Sequence, residues 1–201
     1  MPMSARTIDH PAALRNRQPI FDQLVPQLIG PTQLLEIASG NGTHATFFCR
    51  QLPQLTWQPS EVDTDKLSAL AVRVAQEGLT NLKAPIALDA TNQPWPVVGV
   101  DVVLAINLVH IAPIAVLQGL LAGASQALTS SGLLALYGPY KIEGQHTSIG
   151  NRDFDKQLRN QNPAIGIRDL TDVMAAAQPA GFSLQQRMAM PANNQLLILT
   201  R

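Results

Sequence analysis

The sequence predicts an α/β protein: a mostly parallel sheet with helices on both faces, finished by a C-terminal antiparallel hairpin. Two observations lead there. From Gln33 onward, short apolar runs alternate with segments of helical period, the pattern of successive strand–helix–strand units. Near the C-terminus two strand-like runs are joined by Pro191-Ala192-Asn193-Asn194, a connection short enough to force a hairpin. The 201 residues, 46% of them apolar, suit one core, so residues 1–201 are expected to form a single domain.

Each element follows from local chemistry. Residues 34–38 read as the first strand, followed by the turn Ser39-Gly40-Asn41-Gly42 and by helical character over 44–52 until Pro53 stops it. Residues 55–61 are the second strand. Asp63 or Thr64 can cap a helix that carries Leu67, Leu70, Ala71, Val74 and Ala75 on one face and ends at Gly78. Residues 84–88 and 100–106 read as strands three and four, the latter apolar enough to be buried on both faces. Pro113 suits the first turn of a helix whose stripe is Ile114, Leu117, Leu120, Leu121, Ala124 and Leu128.

Gly132 precedes a fifth strand over 133–137. Residues 138–151, with four glycines or prolines, read as a loop over the site. A helix over about 169–178 precedes strand-like runs at 182–190 and 195–200. Upstream, Pro11, Pro19 and Pro26 divide residues 10–29 into two short helices, and residues 1–32 are expected to form a helical cap over the site.

Lys plus Arg equals Asp plus Glu at 14 each, so the chain has no net field to recruit nucleic acid or an anionic membrane. No apolar stretch has the length of a membrane span or the pattern of a secretory signal, and the expectation is a cytoplasmic protein. The lone Cys49 has no partner for a disulfide or a thiolate metal site, and no metal is expected.

The chemistry concentrates after the first strand. Glu36 lies near its end, and Gly40 and Gly42 in the turn let the backbone bend sharply and a ligand approach it. Glu61 ends the second strand, 19 residues past Gly42, where an acid can take both ribose hydroxyls; Asp89 follows the third and can accept from an adenine amino group. Residues 40–45 also fit the G-x-G-x-x-A dinucleotide fingerprint. Charge separates the two readings: a diphosphate wants donors and positive potential, whereas Glu36 favours the ammonium and sulfonium of S-adenosylmethionine. Tyr137 and Lys141 have the Y-x-x-x-K spacing of short-chain reductases, but Gly138 and Pro139 disfavour the helix that would align them.

The segments LLEIASGNGTHATFF, LPQLTWQPSEVD, DVVLAINLVHIAP, GLLALYGPY and MPANNQLLIL resemble a family of methyltransferases that includes methyltransferase-like protein 26. The resemblance runs from about Pro11 to the C-terminus. It implies the Rossmann-like, seven-stranded class I methyltransferase fold, with S-adenosylmethionine as cofactor and S-adenosylhomocysteine as product, and it implies no acceptor. The family's E-x-A-S-G-x-G-x-H falls on Glu36, Ala38, Ser39, Gly40, Gly42 and His44, and its W-Q-P-S-D on Trp57 to Glu61, where glutamate replaces aspartate. Arg15-Asn16-Arg17-Gln18-Pro19-Ile20, Asn151, Phe154, Asp155 and Gly166 to Asp169 match further patterns, with Ile165 where tryptophan is commoner.

Methyl transfer requires mainly alignment and exclusion of water. The acceptor is expected above the fourth strand. Asn107 and Ala90 are candidates on the cofactor side, and His110 and Tyr137 are candidate catalytic residues. Arg15, Asn16, Tyr140 and Arg168 are candidate contacts to an acidic group of a small-molecule substrate. Local hydrogen bonding at a turn is the competing role for His110. The alternatives are an NAD(P)-dependent reductase and a catalytically silent S-adenosylmethionine-binding partner module. Nucleic-acid methylation is disfavoured by the zero net charge and by Ile106-Asn107-Leu108-Val109 in place of an N/D-P-P-Y/F motif.

Overall fold

A computed structural model describes residues 9–28, 30 and 32–201. Seven strands form one sheet in the order β3-β2-β1-β4-β5-β9-β8. They are β1 (Thr32–Ile37), β2 (Leu55–Glu61), β3 (Ile86–Ala87), β4 (Val100–Ile106), β5 (Leu128–Gly138), β8 (Ser183–Met190) and β9 (Asn194–Thr200). Strands β1 to β5 pair in parallel, while β9 runs antiparallel to both β5 and β8. This is the expected mostly parallel sheet with its C-terminal hairpin.

Helices cover both faces because the strands are apolar on both sides. Leu34, Val102, Leu104, Leu133, Ala135, Leu196 and Ile198 face one cluster with α1 (Pro11–Leu24), α2 (Thr43–Gln51) and α3 (Thr64–Glu77). Their alternates Leu35, Ile37, Val103, Ala105, Leu134, Leu136, Leu197 and Leu199 face the other, with α4 (Ile114–Ala127) and α6 (Leu170–Ala177). The period of two along every central strand is the sheet's own geometry. Asp63 caps α3 through the Asp65 and Lys66 N–H groups at 3.0 Å each, and Gly78 ends it at φ 62°.

Four elements differ from expectation. Residues 11–24 form one helix across Pro19, followed by a 3-10 turn, Val25–Gln27, around Pro26. Burial of Ile20 and Leu24 and edge contacts of Phe21 with Phe47 and Phe48, at 5.7 and 5.0 Å, outweigh the hydrogen bond lost at Pro19. Strand β3 is only two residues long, since Pro85 has no N–H to give. Leu128, expected on the α4 stripe, instead turns extended and starts β5.

The expected loop over 138–151 is structured. Strands β6 (Lys141–Ile142) and β7 (Gln145–His146) form a hairpin turned by Glu143 and Gly144, both at positive φ, and α5 (Ile149–Gln161) begins under a Ser148 cap. Residues 1–8, 29 and 31 of the expected cap lie outside the described residues. Among the described residues no helix is long and apolar enough to cross a membrane.

Candidate functional site

The sheet order reverses between β1 and β4, and a crevice must open where their C-terminal ends diverge. A cleft of about 940 Å³ lies there. Its floor is the β1–α2 turn (Glu36, Ala38, Ser39, Gly40, Asn41, His44) and the end of β4 (Ile106, Asn107, His110, Ile111). Helix α1 supplies Arg15 and Asn16, α5 supplies Asn151, Phe154 and Leu158, and the β8–β9 turn supplies Pro191, Ala192 and Asn194.

Glu36 faces this cleft while only 2% exposed. Its Oε2 accepts the Trp57 indole N–H at 3.1 Å. Burial pushes its carboxyl up to about 7, against the Ser39 and Trp57 hydrogen bonds that hold it down; Glu61 adds to the rise. The turn beyond is tightly bonded. Ser60 Oγ donates to the Glu36 carbonyl at 2.6 Å, the Ser39 N–H to the Ser60 carbonyl at 2.8 Å, and the Ser60 N–H to Ser39 Oγ at 3.1 Å. Glu61 accepts the Gly40 N–H on Oε2 and the Val62 N–H on Oε1, each at 3.0 Å, so this acid fixes the glycine turn itself.

The two glycines do different things. A Cβ on Gly40 would meet open space, so a ligand can approach this side of the turn, whereas a Cβ on Gly42 would lie 2.6 Å from Leu70 Cδ1. Gly42 also takes φ 77°, the left-handed backbone that favours glycine, so the turn itself calls for it and the contact with Leu70 on α3 adds to that demand. Three non-glycine residues at φ 57°, Ala38, Asn107 and Ala192, all line the cleft. Such backbone costs on the order of 1 kcal/mol each and collects where a binding surface dictates it.

A polar chain crosses from α2 to the β8–β9 turn. His44 Nε2 lies 2.8 Å from Asn16 Oδ1 and donates to it in the Nε2–H tautomer, and the Tyr137 hydroxyl bonds Asn16 and Asn194. Burial lowers His44 to about 4, with Arg17 nearby adding to the effect. Burial likewise lowers His110 to about 4; its ring meets Phe154 edge-on at 5.6 Å. Both rings are therefore neutral at neutral pH.

Of the residues predicted from sequence, Arg15, Asn16, Glu36, Ala38, Ser39, Gly40, His44, Asn107, His110 and Tyr137 come together on the cleft. Gly42, Glu61, Asp89, Ala90, Tyr140 and Arg168 are not among its lining residues. Asp89 accepts the Thr91 N–H at 2.8 Å and the Thr91 hydroxyl at 2.7 Å, an Asx turn. Tyr140 is fully buried in the core, and burial pushes its hydroxyl pKa well up. Arg168 donates to the Ala112 and Ala164 carbonyls at 2.9 and 2.8 Å, bracing the backbone after His110 rather than reaching the cleft. Tyr137 ends β5 and Lys141 stands on β6 with its Nζ 3.3 Å from Asp155, so the one-turn helical pairing of a short-chain reductase is absent.

Sequence reasoning missed Lys66, Ile111, Leu158 and Pro191 on the lining, and Trp57 as the donor to Glu36. Leu158 and Pro191 arrive from elements whose position depends on tertiary packing. Trp57 meets Glu36 from the neighbouring strand, in the register Leu34 to Trp57 and Glu36 to Pro59, which takes the register of β1 against β2 as well as their adjacency.

Solved structures share this architecture. An S-adenosylmethionine-dependent methyltransferase, SibL, matches with a TM-score of 0.79 at 19% identity over 94% of this chain and 55% of its own. A putative O-methyltransferase from Nostoc punctiforme matches at 0.76 and 19% identity, over 98% of this chain and 63% of its own. An O-methyltransferase from neocarzinostatin biosynthesis, solved with S-adenosylmethionine and 2-hydroxy-5-methyl naphthoic acid, matches at 0.71 and 13% identity over 85% and 49%. The chain thus spans 49 to 63% of the length of these proteins and has the Rossmann-like methyltransferase fold. Its sequence matches a family description over residues 7–201, and the chain belongs to that family, described as Protein of unknown function (DUF938).

Proposed function

We propose that this chain is an S-adenosylmethionine-dependent methyltransferase acting on a small molecule, and that it is related to the methyltransferase family that includes methyltransferase-like protein 26. The observation that carries the reading is Glu36: a carboxyl only 2% exposed on a cleft at the strand-order switch, with the neutral Trp57 indole as a hydrogen-bond donor and no cation paired with it among the described residues. A ligand ammonium supplies the missing counter-charge, whereas a diphosphate would add a second anion beside it.

The bound cofactor supplies a methyl carbon already activated by its sulfonium. The chain's residues position it. In this proposal Glu36 faces the amino-acid end, the turn at Ala38, Ser39 and Gly40, with open space beside Gly40, follows the chain of the nucleoside, and His44 supports that wall through Asn16. Glu61 retains a lone pair on each oxygen for ribose hydroxyls, and Asp89 with Ala90 marks the adenine side. Asn107, His110 and Tyr137 border the acceptor space, with Arg15 and Asn16 above it. Residues 1–201 act as one domain with the N-terminal segment as cap, in the cytoplasm, where a free buried thiol such as Cys49 stays reduced.

Isothermal titration with S-adenosylhomocysteine is expected to give saturable heat, and NADH none; absence of the first, or heat from NADH alone, overturns the reading. Transfer of labelled methyl to any metabolite fraction separates an enzyme from a silent binding module.

A further inference from the structure

The cleft is asymmetric in charge. Glu36 stands on the β1 side, while the side built from β4, β5 and α5 is apolar or neutral, with Ile111, Phe154, Leu158 and Pro139 around Asn107, His110 and Tyr137. Among the described lining residues the remaining fixed charges are Arg15 and Lys66, both cationic. Residues 1–8, 29 and 31 contain no acid in the sequence. With Glu36 facing the cofactor's ammonium, a second ammonium on the acceptor would be desolvated against this wall with no carboxylate to receive it.

The same wall offers little basicity. His110 is packed against Phe154, and a Cβ on Gly138 would stand 3.2 Å from its Nδ1, so the ring is enclosed on both sides. Burial there lowers its pKa to about 4, far from that of an effective base toward a weakly acidic alcohol or an ammonium. Tyr137 has its hydroxyl engaged by Asn16 and Asn194. An acceptor in this corner has to lose its proton largely by its own acidity.

Resting on the methyltransferase reading, we propose that the acceptor is a neutral or anionic, predominantly apolar molecule that presents an acidic O–H or S–H, a phenol-type hydroxyl or a thiol, to the corner formed by Asn107, His110 and Tyr137. The acceptor oxygen or sulfur bonds the methyl carbon as the S–CH3 bond breaks. The bonding pair stays on the departing sulfur and cancels its charge, and the acceptor's proton passes to water, so one positive charge enters on the sulfonium and leaves as a proton. A volume of about 940 Å³ is near the top of the range of roughly 300–1,000 Å³ for single-ligand sites, which leaves room for an apolar body beside the nucleoside.

The test uses the whole chain and four probes with one apolar body: 2-naphthol, 2-naphthalenethiol, 2-naphthalenemethanol and 2-naphthylmethylamine. Labelled methyl transfer is measured at several pH values, and binding of each probe to the S-adenosylhomocysteine complex by calorimetry. The naphthol or the thiol is expected to turn over at least ten-fold faster than the alcohol and the amine, with a rate that rises through the probe's own ionisation and shifts to lower pH with a more acidic naphthol. Transfer to, or binding of, the amine or alcohol at least equal to that of the acidic pair overturns the proposal. So does a complex with S-adenosylhomocysteine that neither binds nor methylates either acidic probe. Failure to bind S-adenosylhomocysteine strikes the methyltransferase reading itself, which keeps the two failures apart.

Discussion

Glu36 carries a titration that the cofactor should control. Its folded pKa, raised from 4.5 to about 7, means the fold favours the protonated acid. The sign follows: stability from this group is fully present below about pH 4.5 and is lost as pH rises through 7. Glu36→Gln is therefore expected to stabilise the free protein by about 3 kcal/mol at pH 8 and by little at pH 4, read as denaturant midpoints. Ligand binding moves oppositely. Because the ammonium needs the ionised form, affinity for S-adenosylhomocysteine in wild type is expected to rise about ten-fold per pH unit up to pH 7 and then level, and to lose that slope in Glu36→Gln. A pH-independent affinity in wild type would show that the ligand does not face this acid. The acid was legible from its place at the end of an apolar run. The turn-forming role of Gly42 was legible too, and its φ of 77° bears it out; its approach to Leu70 on α3 was not, because that residue lies 28 positions away in sequence.

Helix α5 shows why some elements escaped sequence reading. Its buried residues are Asn151, Asp155 and Leu158, two of them polar, so it has no apolar stripe to reveal it. What holds it is Asp155, which takes the Ile167 N–H at 2.7 Å, His146 Nε2 at 2.9 Å and Arg159 Nε at 3.1 Å, with Lys141 Nζ at 3.3 Å. These partners keep its carboxyl down at about 2 although burial alone would raise it. Thr147 and Asn151 then tie the helix to the Asn193 carbonyl at 3.3 and 3.1 Å, bringing the β8–β9 turn over the cleft. Asp155→Asn is expected to lower stability by about 2 kcal/mol, since its cationic partners remain partly solvated. Faster amide exchange across 149–161, weaker binding of acceptor and unchanged affinity for S-adenosylhomocysteine should accompany it. Equal weakening of both ligands would mean that α5 does not belong to the acceptor side alone.

At the scale of the molecule, the sheet was readable because its strands are apolar on both faces and its turns carry glycine and proline. The order β3-β2-β1-β4-β5-β9-β8 places the crevice between β1 and β4, so residues as separate in sequence as Asn16, Glu36, Asn107 and Asn194 meet on one cleft. That convergence encloses three titratable groups in one low-dielectric region, and their effects on stability oppose. His44 and His110 have folded pKa values lowered from 6.5 to about 4, so each contributes stability above pH 6.5 that is lost as pH falls through 4. Glu36 regains its own contribution over much the same interval. Two histidines against one glutamate, with shifts of similar size, leave a net loss of about 3 kcal/mol between pH 7.5 and 4. His44→Gln with His110→Gln should flatten or reverse that slope, because of these three groups only Glu36 then remains to titrate. Urea denaturation of the double variant and wild type across this range reads the difference directly, and parallel pH profiles for the two would show that neither imidazole is held neutral by burial.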